Sequence, residues 1–544
     1  MRINTAKKIV LASLVALASC KKLDLAPSDR FTELNFWQSS ENVNNALNNV
    51  YGGMYTSQPF FYNEALSDNA FTKLGINSGQ PDAIASGNFT SSLPRFQNDW
   101  ANYYGGIKSC NIFLENVDQN TTLSEAVKNR MKGETRFIRA FHHFNLTKWW
   151  GDVPILSKDI TPDEAKTVSR SPKAEVVKFV LDELDAAAAA LPAKEQYAAG
   201  DHGRITKGAA LALKARVLLY EVNRMAEVVT VCEQLINNGA QNGNYSLAAS
   251  YTDLFSGSAL NKNNTETILS LQYVPALRMW GDYIDFAPIS AGARSNNLAP
   301  TQELVNNYLM LNGKQITEAG SGYDEANPYA NRDPRLSATV VYDRYNWVNP
   351  NGTSQTIYIK PGTAPAGQTA NEYSAAGQGT ATGYYWRKYW DPAFVAPGIS
   401  SGLNIHLIRY AEVLLMYAEA KQALGQMTEE VWNKTIKALR QRAGFTDAGA
   451  LNYPGNTNMT DIIRAERRTE LVMEGIRIDD IRRWKIAETV LNGWAHGAKF
   501  GEASIDNGYL RVQLRQFDKS KHYLWPVPPS ERALNTNLSQ NDGY

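Results

Sequence analysis

Cysteine is nearly absent: there are three in 544 residues. Three thiols cannot build a disulfide framework, and no CxxC pair or His at zinc spacing accompanies them. Cys110 and Cys232 fall within predicted helices, where they read as buried free thiols unless the fold brings them together. HExxH, GxxxxGKS and a GxGxxG after a strand are also missing, so zinc-protease, P-loop and dinucleotide readings have no footing. No metal or other cofactor is expected. Neither sign of charge dominates, with 55 Lys+Arg against 54 Asp+Glu. Removing a leader that holds Arg2, Lys7 and Lys8 leaves a slightly acidic chain. A nucleic-acid binder would carry a basic stripe, so nucleic acid is not the expected partner. The longest apolar run, residues 9–18, is well short of the roughly 20 residues that span a bilayer.

That run has a different use. Arg2, Lys7 and Lys8 form a charged n-region and IVLASLVALA an apolar h-region, as in a secretory leader. Leu17-Ala18-Ser19-Cys20 resembles a bacterial lipobox, in which Cys20 is lipidated and becomes the first residue. Residues 1–19 are therefore expected to be removed.

The remainder is rich enough in apolar residues, 43% overall, for a sizeable core. Its length suits one large domain or several ordinary ones. Helical periodicity is frequent. Val43, Leu47, Val50 and Met54 mark a helix within Asn42–Tyr55. Long helices are predicted over Arg95–Val117, Glu125–Trp150 and Lys173–Leu191. Two more follow at Lys207–Tyr220, with Thr206 as N-cap, and at Met225–Asn238. His142 and His143 are adjacent, about 100° apart on a helix, and poorly placed to share a metal. Helices resume at His406: Leu407, Ile408, Ala411, Leu414, Leu415 and Ala418 share one face. Trp432, Ile436, Leu439 and Ala443 repeat it up to Gly444. A third segment, rich in Arg and Glu, runs to Lys485. Paired helices joined by short turns suggest tetratricopeptide-like units. Arg467 with Glu470, and Arg477 with Asp479 and Asp480, read as a solvated, ion-paired face.

Between these blocks the texture changes. Residues 241–402 are dense in Gly, Asn, Ser and Pro, with short β-like runs such as ETILSLQYV and SATVVYD. Pro59–Leu93 is similarly irregular. Long loop-rich segments on a rigid frame are the usual place for a binding surface. The expected architecture is mostly α: a helical-repeat scaffold at about 40–240 and 403–500, with a loop-rich, short-strand insertion at about 241–402. One GxSxG occurs, Gly398-Ile399-Ser400-Ser401-Gly402, but Pro397 precedes it and no strand-to-helix elbow is predicted, so it reads as a loop. Carboxylates are plentiful, and a glycosidase needs only two at the right separation.

Several motifs together resemble the SusD/RagB family. They are RFIRAFHHFNLTKWWGDVPIL, IRYAEVLLMYAEA, ALRQRAGF, IRAERRTELVMEGIRIDDIRRW and the closing LWPVPPSERALNTNLSQNDGY. KKLDLAPSD after Cys20 resembles the family's start. The resemblance implies a lipid-anchored outer-membrane protein, facing the cell surface, that binds oligosaccharides without bond chemistry. It also implies a partner, a TonB-dependent transporter. A peptide- or glycoprotein-binding member of the same family, and an extracellular glycoside hydrolase, are the alternatives.

A sugar ring lies with its C–H face on an exposed aromatic ring while polar side chains reach its hydroxyls. The loop rings fall into three clusters: Phe60-Phe61-Tyr62, Trp280-Tyr283-Phe286, and Tyr342-Tyr345-Trp347. Trp280, Tyr283 and Trp347 are the expected stacking residues, with Tyr62 as a fourth. The dense YYWRKYWDP stretch from Tyr384 resembles a family segment before the C-terminal helices and reads as structural.

Overall fold

A computed structural model describes residues 36–73, 80–257, 259–349, 351–391 and 400–544, with the backbone alone for Tyr283 and Ile284. The leader and Cys20 lie outside the described residues. Six helices lead the chain: α1 (Ser40–Gly52), α2 (Pro94–Asn116), α3 (Glu125–Trp150), α4 (Lys173–Ala190), α5 (Lys207–Tyr220) and α6 (Met225–Asn237). Side-chain caps start several of them. Ser39 accepts from the Asn42 amide, Ser124 from Val127 and Thr206 from Ala209. Each satisfies an amide the first turn leaves open. Helix α3 packs between α2 and α4, and α5 packs on α4 and α6. Nearly every side of α5 is buried, which its run of Ala, Leu and Val requires.

The frame continues with α7 (Tyr410–Ala423), α8 (Ile436–Ala443), α9 (Met459–Glu470) and α10 (Arg477–Arg483). Helix α7 packs against α5, α6 and α9. Three expectations fail here. Helices do not resume at His406. Residues Ile405–Arg409 form a strand, β8, paired antiparallel with β2 (Thr267–Leu271). All five residues are buried, and a fully buried strand has no periodicity to separate it from a helix. The helix over Trp432–Ala443 is interrupted at Thr435 (φ −117°, ψ −90°). The third segment also divides between α9 and α10, at Met473 (φ 61°) and Gly475 (φ 69°). A Cβ on Gly475 would sit 2.7 Å from the Phe60 carbonyl oxygen, so this turn closes only with glycine.

The Arg/Glu-rich helices do not form a solvated face. Arg467 and Glu470 are fully buried, and Asp480, Arg477 and Asp479 nearly so. Arg409, 0% exposed, reaches Glu266 at 2.7 Å, Glu470 at 2.6 Å and Glu474 at 2.9 Å. Arg442 contacts Glu266 and Glu470, and Lys388 lies 2.7 Å from Glu474. Arg335 reaches Asp333, Glu466 and Glu470, and Arg440 reaches Glu466. The cations Arg335, Lys388, Arg409, Arg440 and Arg442 thus balance the acids Glu266, Asp333, Glu466, Glu470 and Glu474. Helical spacing groups Arg467 with Glu470, and Arg477 with Asp479 and Asp480, but does not tell a wet face from an interior one.

The described parts of Pro59–Leu93, residues 59–73 and 80–93, are largely ordered into short elements. Residues 60–70 are buried without exception. A short helix (Ser57–Tyr62) and a 3-10 turn (Asn63–Leu66) lead into β1 (Ala70–Thr72), which pairs antiparallel with β3 (Leu298–Pro300). The C-terminal tail is docked. Trp525 stacks on Trp149 at 4.1 Å, and the Trp150 indole donates to the Pro526 carbonyl at 2.8 Å. Cys110 and Cys232 are buried free thiols, and burial pushes both well above the ordinary thiol range. His143 is bonded to the Arg139 carbonyl and the Leu156 amide, while His142 packs over Gly106. Burial, with His143 adding to it, pulls His142 down to about 3.

Candidate functional site

The site region is the seam where the N-terminal segment meets the insertion. Gly475 lets the turn before α10 close on Phe60, and the β1–β3 ladder sets Phe61 and Tyr62 against residues 280–300. Phe61 lies 4.9 Å from Trp280, 5.4 Å from Phe286 and 5.2 Å from Tyr389, ring centre to ring centre. The Trp280 backbone bridges to Ser401, and its indole N–H donates to the Leu403 carbonyl at 2.8 Å. These rings make a floor. They do not make a platform, because their faces are spent on one another.

The expected stacking residues are corrected accordingly. Trp280 is 3% exposed, Tyr62 2% and Trp347 0%. Trp347 stands on β5 (Tyr345–Val348), paired with β6 (Ser354–Ile357), and the strand's alternation turns it inward. Inside, Arg387 lies over its ring at 4.9 Å and Trp390 meets it edge-on at 5.0 Å. Residues that read as loop are strand here, and large rings are buried by default. Tyr283 differs: its backbone lies on the 3-10 turn Asp282–Asp285 at the rim of the seam, and its side chain is outside the description. The Tyr384–Trp386 and Tyr389–Trp390 rings are buried, as the structural reading of that stretch required.

Above the floor the seam is polar. Asp285 accepts from the Tyr62 hydroxyl at 2.8 Å, Asn297 at 2.9 Å and Arg294 at 3.2 Å. Burial, then the Asp285 charge, push the Tyr62 phenol far above its ordinary value, so it stays a donor. Burial raises the Asp282 carboxyl, a Ser57 hydrogen bond opposes this and the Asp285 charge adds to it. Arg294 is anchored at Asp285 but its side chain remains 63% exposed. Lys73 spans the seam to the carbonyls of Gly377 and Gly379 at 2.6 and 2.7 Å. Arg294, Asp285 and Lys73 carry no signal in the sequence, since an isolated charge in a loop has no pattern.

The rim offers donors and acceptors fixed by backbone and by one another, which suits a hydroxylated ligand. The Asp285 carboxylate already takes three donors. The GxSxG stretch, whose first two residues lie outside the described ones, runs on from Ser401 into strand β8. A nucleophile elbow exits into a helix. Among the described residues no group of three or more His, Cys, Asp or Glu is placed to hold a metal ion, and no helix is long and apolar enough to cross a membrane.

A helical-repeat frame carrying an irregular, polar-rimmed insertion defines a scaffold-type binding fold. Residues 258–544 match the profile described as the SusD family, and residues 23–219 match one described as "Starch-binding associating with outer membrane". The chain belongs to the SusD family, and the second description ties that family to the outer membrane. Neither description names a catalytic activity. A SusD-like carbohydrate binding protein from Bacteroides fragilis is similar in structure, with TM-score 0.83 and 29% identity over 93% of this chain and 100% of that one. A SusD-like protein of Formosa agariphila is 25% identical over 509 residues, covering 89% of this chain and 92% of the relative. A laminarin binding SusD-like protein shares the fold, with TM-score 0.63 and 21% identity over 93% of this chain and 100% of its own.

Proposed function

We propose that this protein is a surface-exposed lipoprotein, anchored through Cys20, that captures oligosaccharides and delivers them to a partner TonB-dependent transporter in the outer membrane. The observation that carries the reading is the match of residues 23–219 to a starch-binding, outer-membrane family. The polar rim at Asp285 and Arg294 supports it, because fixed donors and acceptors suit sugar hydroxyls. Tyr283, on the same rim, is the ring proposed to stack on the ligand there. The protein binds and releases and breaks no bond. The family description of residues 23–219, which names binding, supports this.

The test is a binding screen of the mature chain against a glycan array and a peptide array, with turnover of the bound glycans followed in parallel. Binding of oligosaccharides without hydrolysis is expected. Binding of peptides alone, or hydrolysis at enzymatic rates, overturns the reading. Detergent extraction from the native host should co-purify a large membrane protein, and Cys20→Ala should release the chain from the membrane. Lipid attachment raises the effective concentration of the pair, so a modest interface suffices.

A further inference from the structure

The seam is not the only surface suited to a sugar. Among residues whose side chains are described, Trp494 is the sole aromatic side chain in the exposed class, at 39%. It stands on β9 (Gly493–His496), paired antiparallel with β10 (Arg511–Arg515) in a two-stranded ribbon. Strand alternation puts Trp494 and His496 on one face, with the buried Ala495 on the other. The cross-strand partner of Trp494 is Leu514, also exposed, and that of His496 is Arg511.

The polar groups beside the ring are tied together. His496 contacts Glu303 through Nδ1 at 2.7 Å and Asp506 through Nε2 at 3.1 Å. The Arg511 Nε donates to the same Asp506 at 2.6 Å, and the guanidinium lies 5.2 Å over the Trp494 ring. The hydrogen bond to Glu303 raises the imidazole above its ordinary pKa, partial burial opposes this, and Asp506 adds to the rise. His496, Glu303, Asp506 and Arg511 all stay partly exposed. A protein partner wants a contiguous apolar patch. Here one ring and one leucine are set in a row of charged groups, the dimensions and chemistry of a single pyranose with its apolar face and hydroxyl rim.

We propose that this ribbon face is a second sugar subsite, resting on the glycan-binding reading above. One pyranose unit stacks on the Trp494 face opposite Arg511 and places hydroxyls against Asp506, Glu303 and Arg511. The ribbon lies beside the N-terminal segment, since Arg515 donates to the carbonyls of Ser67 and Ala70, and Gln513 to that of Asp82. Gln513 and Arg515 lie on the Ala495 side, so the N-terminal segment backs the ribbon and leaves the Trp494 face outward.

The experiment is calorimetric titration of maltohexaose, laminarihexaose and the best ligands from a glycan array into the parent, Trp494→Ala and Arg511→Ala. Both changes are at the surface, and circular dichroism checks the fold. Affinity should fall by at least about fivefold in Trp494→Ala, with a smaller loss in Arg511→Ala. If the parent binds and both folded variants bind equally well, the subsite is wrong while the glycan reading stands. If the parent binds no glycan at all, both fall together.

Discussion

Arg409 and Arg294 both bind carboxylates, and they could hardly differ more in what that does. Arg409 is wholly enclosed between β8 and the α9–α10 turn, with Glu266, Glu470 and Glu474 around it. Arg294 stands on the insertion with most of its side chain in water and a single carboxylate, Asp285, at 3.2 Å. The buried lattice, to which the insertion itself contributes Glu266, Asp333, Arg335 and Lys388, uses charge as core material, and the seam uses it as a rim. Aromatic rings divide the other way: the insertion hides Trp280 and Trp347, while the C-terminal ribbon exposes Trp494. Charge therefore does not mark the surface in this protein, and aromatic density does not mark exposure.

Breaking the frame's side of this comparison should have the largest effect. Arg409→Ala leaves three buried carboxylates short of their shared cation. Removing one partner of a buried pair costs about 3–5 kcal/mol, and three orphaned partners put this at the upper end or beyond. Guanidinium unfolding should show that loss, or no folded protein should be recovered. A loss below about 1 kcal/mol would mean that the lattice is wetter than its burial indicates.

Trp280→Ala comes next, at about 3 kcal/mol for the cavity and the lost indole contacts. Its indole packs on Phe61, Phe286 and Tyr389 and donates to the Leu403 carbonyl, so the folded fraction should keep its glycan affinity within about twofold. Lost affinity in a variant of parental stability would return Trp280 to the ligand.

Acid separates the regions a third way. Burial pushes the Glu470 carboxyl up, but Arg442, Arg409 and Arg335 outweigh it and hold it well below the ordinary range. Burial is likewise outweighed at Glu466, by Arg335 and Arg440, and at Glu474, by Arg409 and Lys388. A carboxyl with a depressed folded pKa stabilises above its unfolded value, about 4.3, and loses that contribution as pH falls towards the folded one. Glu64 and Glu134, raised chiefly by burial, act with the opposite sign. The depressed group should prevail. Stability should drop between about pH 5 and pH 3, and Glu470→Gln should make that slope shallower. An unchanged slope in a folded Glu470→Gln variant would place the acid sensitivity elsewhere.

The frame was legible in the sequence because helices announce themselves by period. Glu125–Trp150 and Lys207–Tyr220 match their predicted limits, and Thr206 caps as read. What periodicity cannot report is what lies on the other side of a face. Arg467 and Glu470 have surface spacing and an interior address. Ile405–Arg409 has no polar side at all, so strand and helix looked alike. The site was less legible than the frame. Rings in Gly- and Asn-rich stretches looked free because their partners, such as Phe61 for Trp280, stand more than two hundred residues away. Trp494 stands just past the short helix Ala487–Val490, in the stretch expected to be scaffold, so its sequence neighbourhood does not mark it as exposed.

The smallest effect on stability belongs to Arg294, and it sharpens the comparison most. Exposed ion pairs contribute between nothing and about 1 kcal/mol, since water screens them and the side chain must be held in place. Arg294→Ala should therefore shift the unfolding midpoint hardly at all, with Asp285 still bound by Tyr62 and Asn297. At the proposed rim the same deletion removes a cationic donor whose hydrogen bonds to a ligand are not matched by neighbours. A hydrogen bond to a charged group contributes about 1.5–3 kcal/mol, so glycan affinity should fall about tenfold or more. Arg294→Lys keeps the charge but loses the planar fork, and should recover only part of that affinity. Loss of stability without loss of affinity in Arg294→Ala would make Arg294 a structural strut like Arg409, and the seam would no longer be the place where the ligand sits.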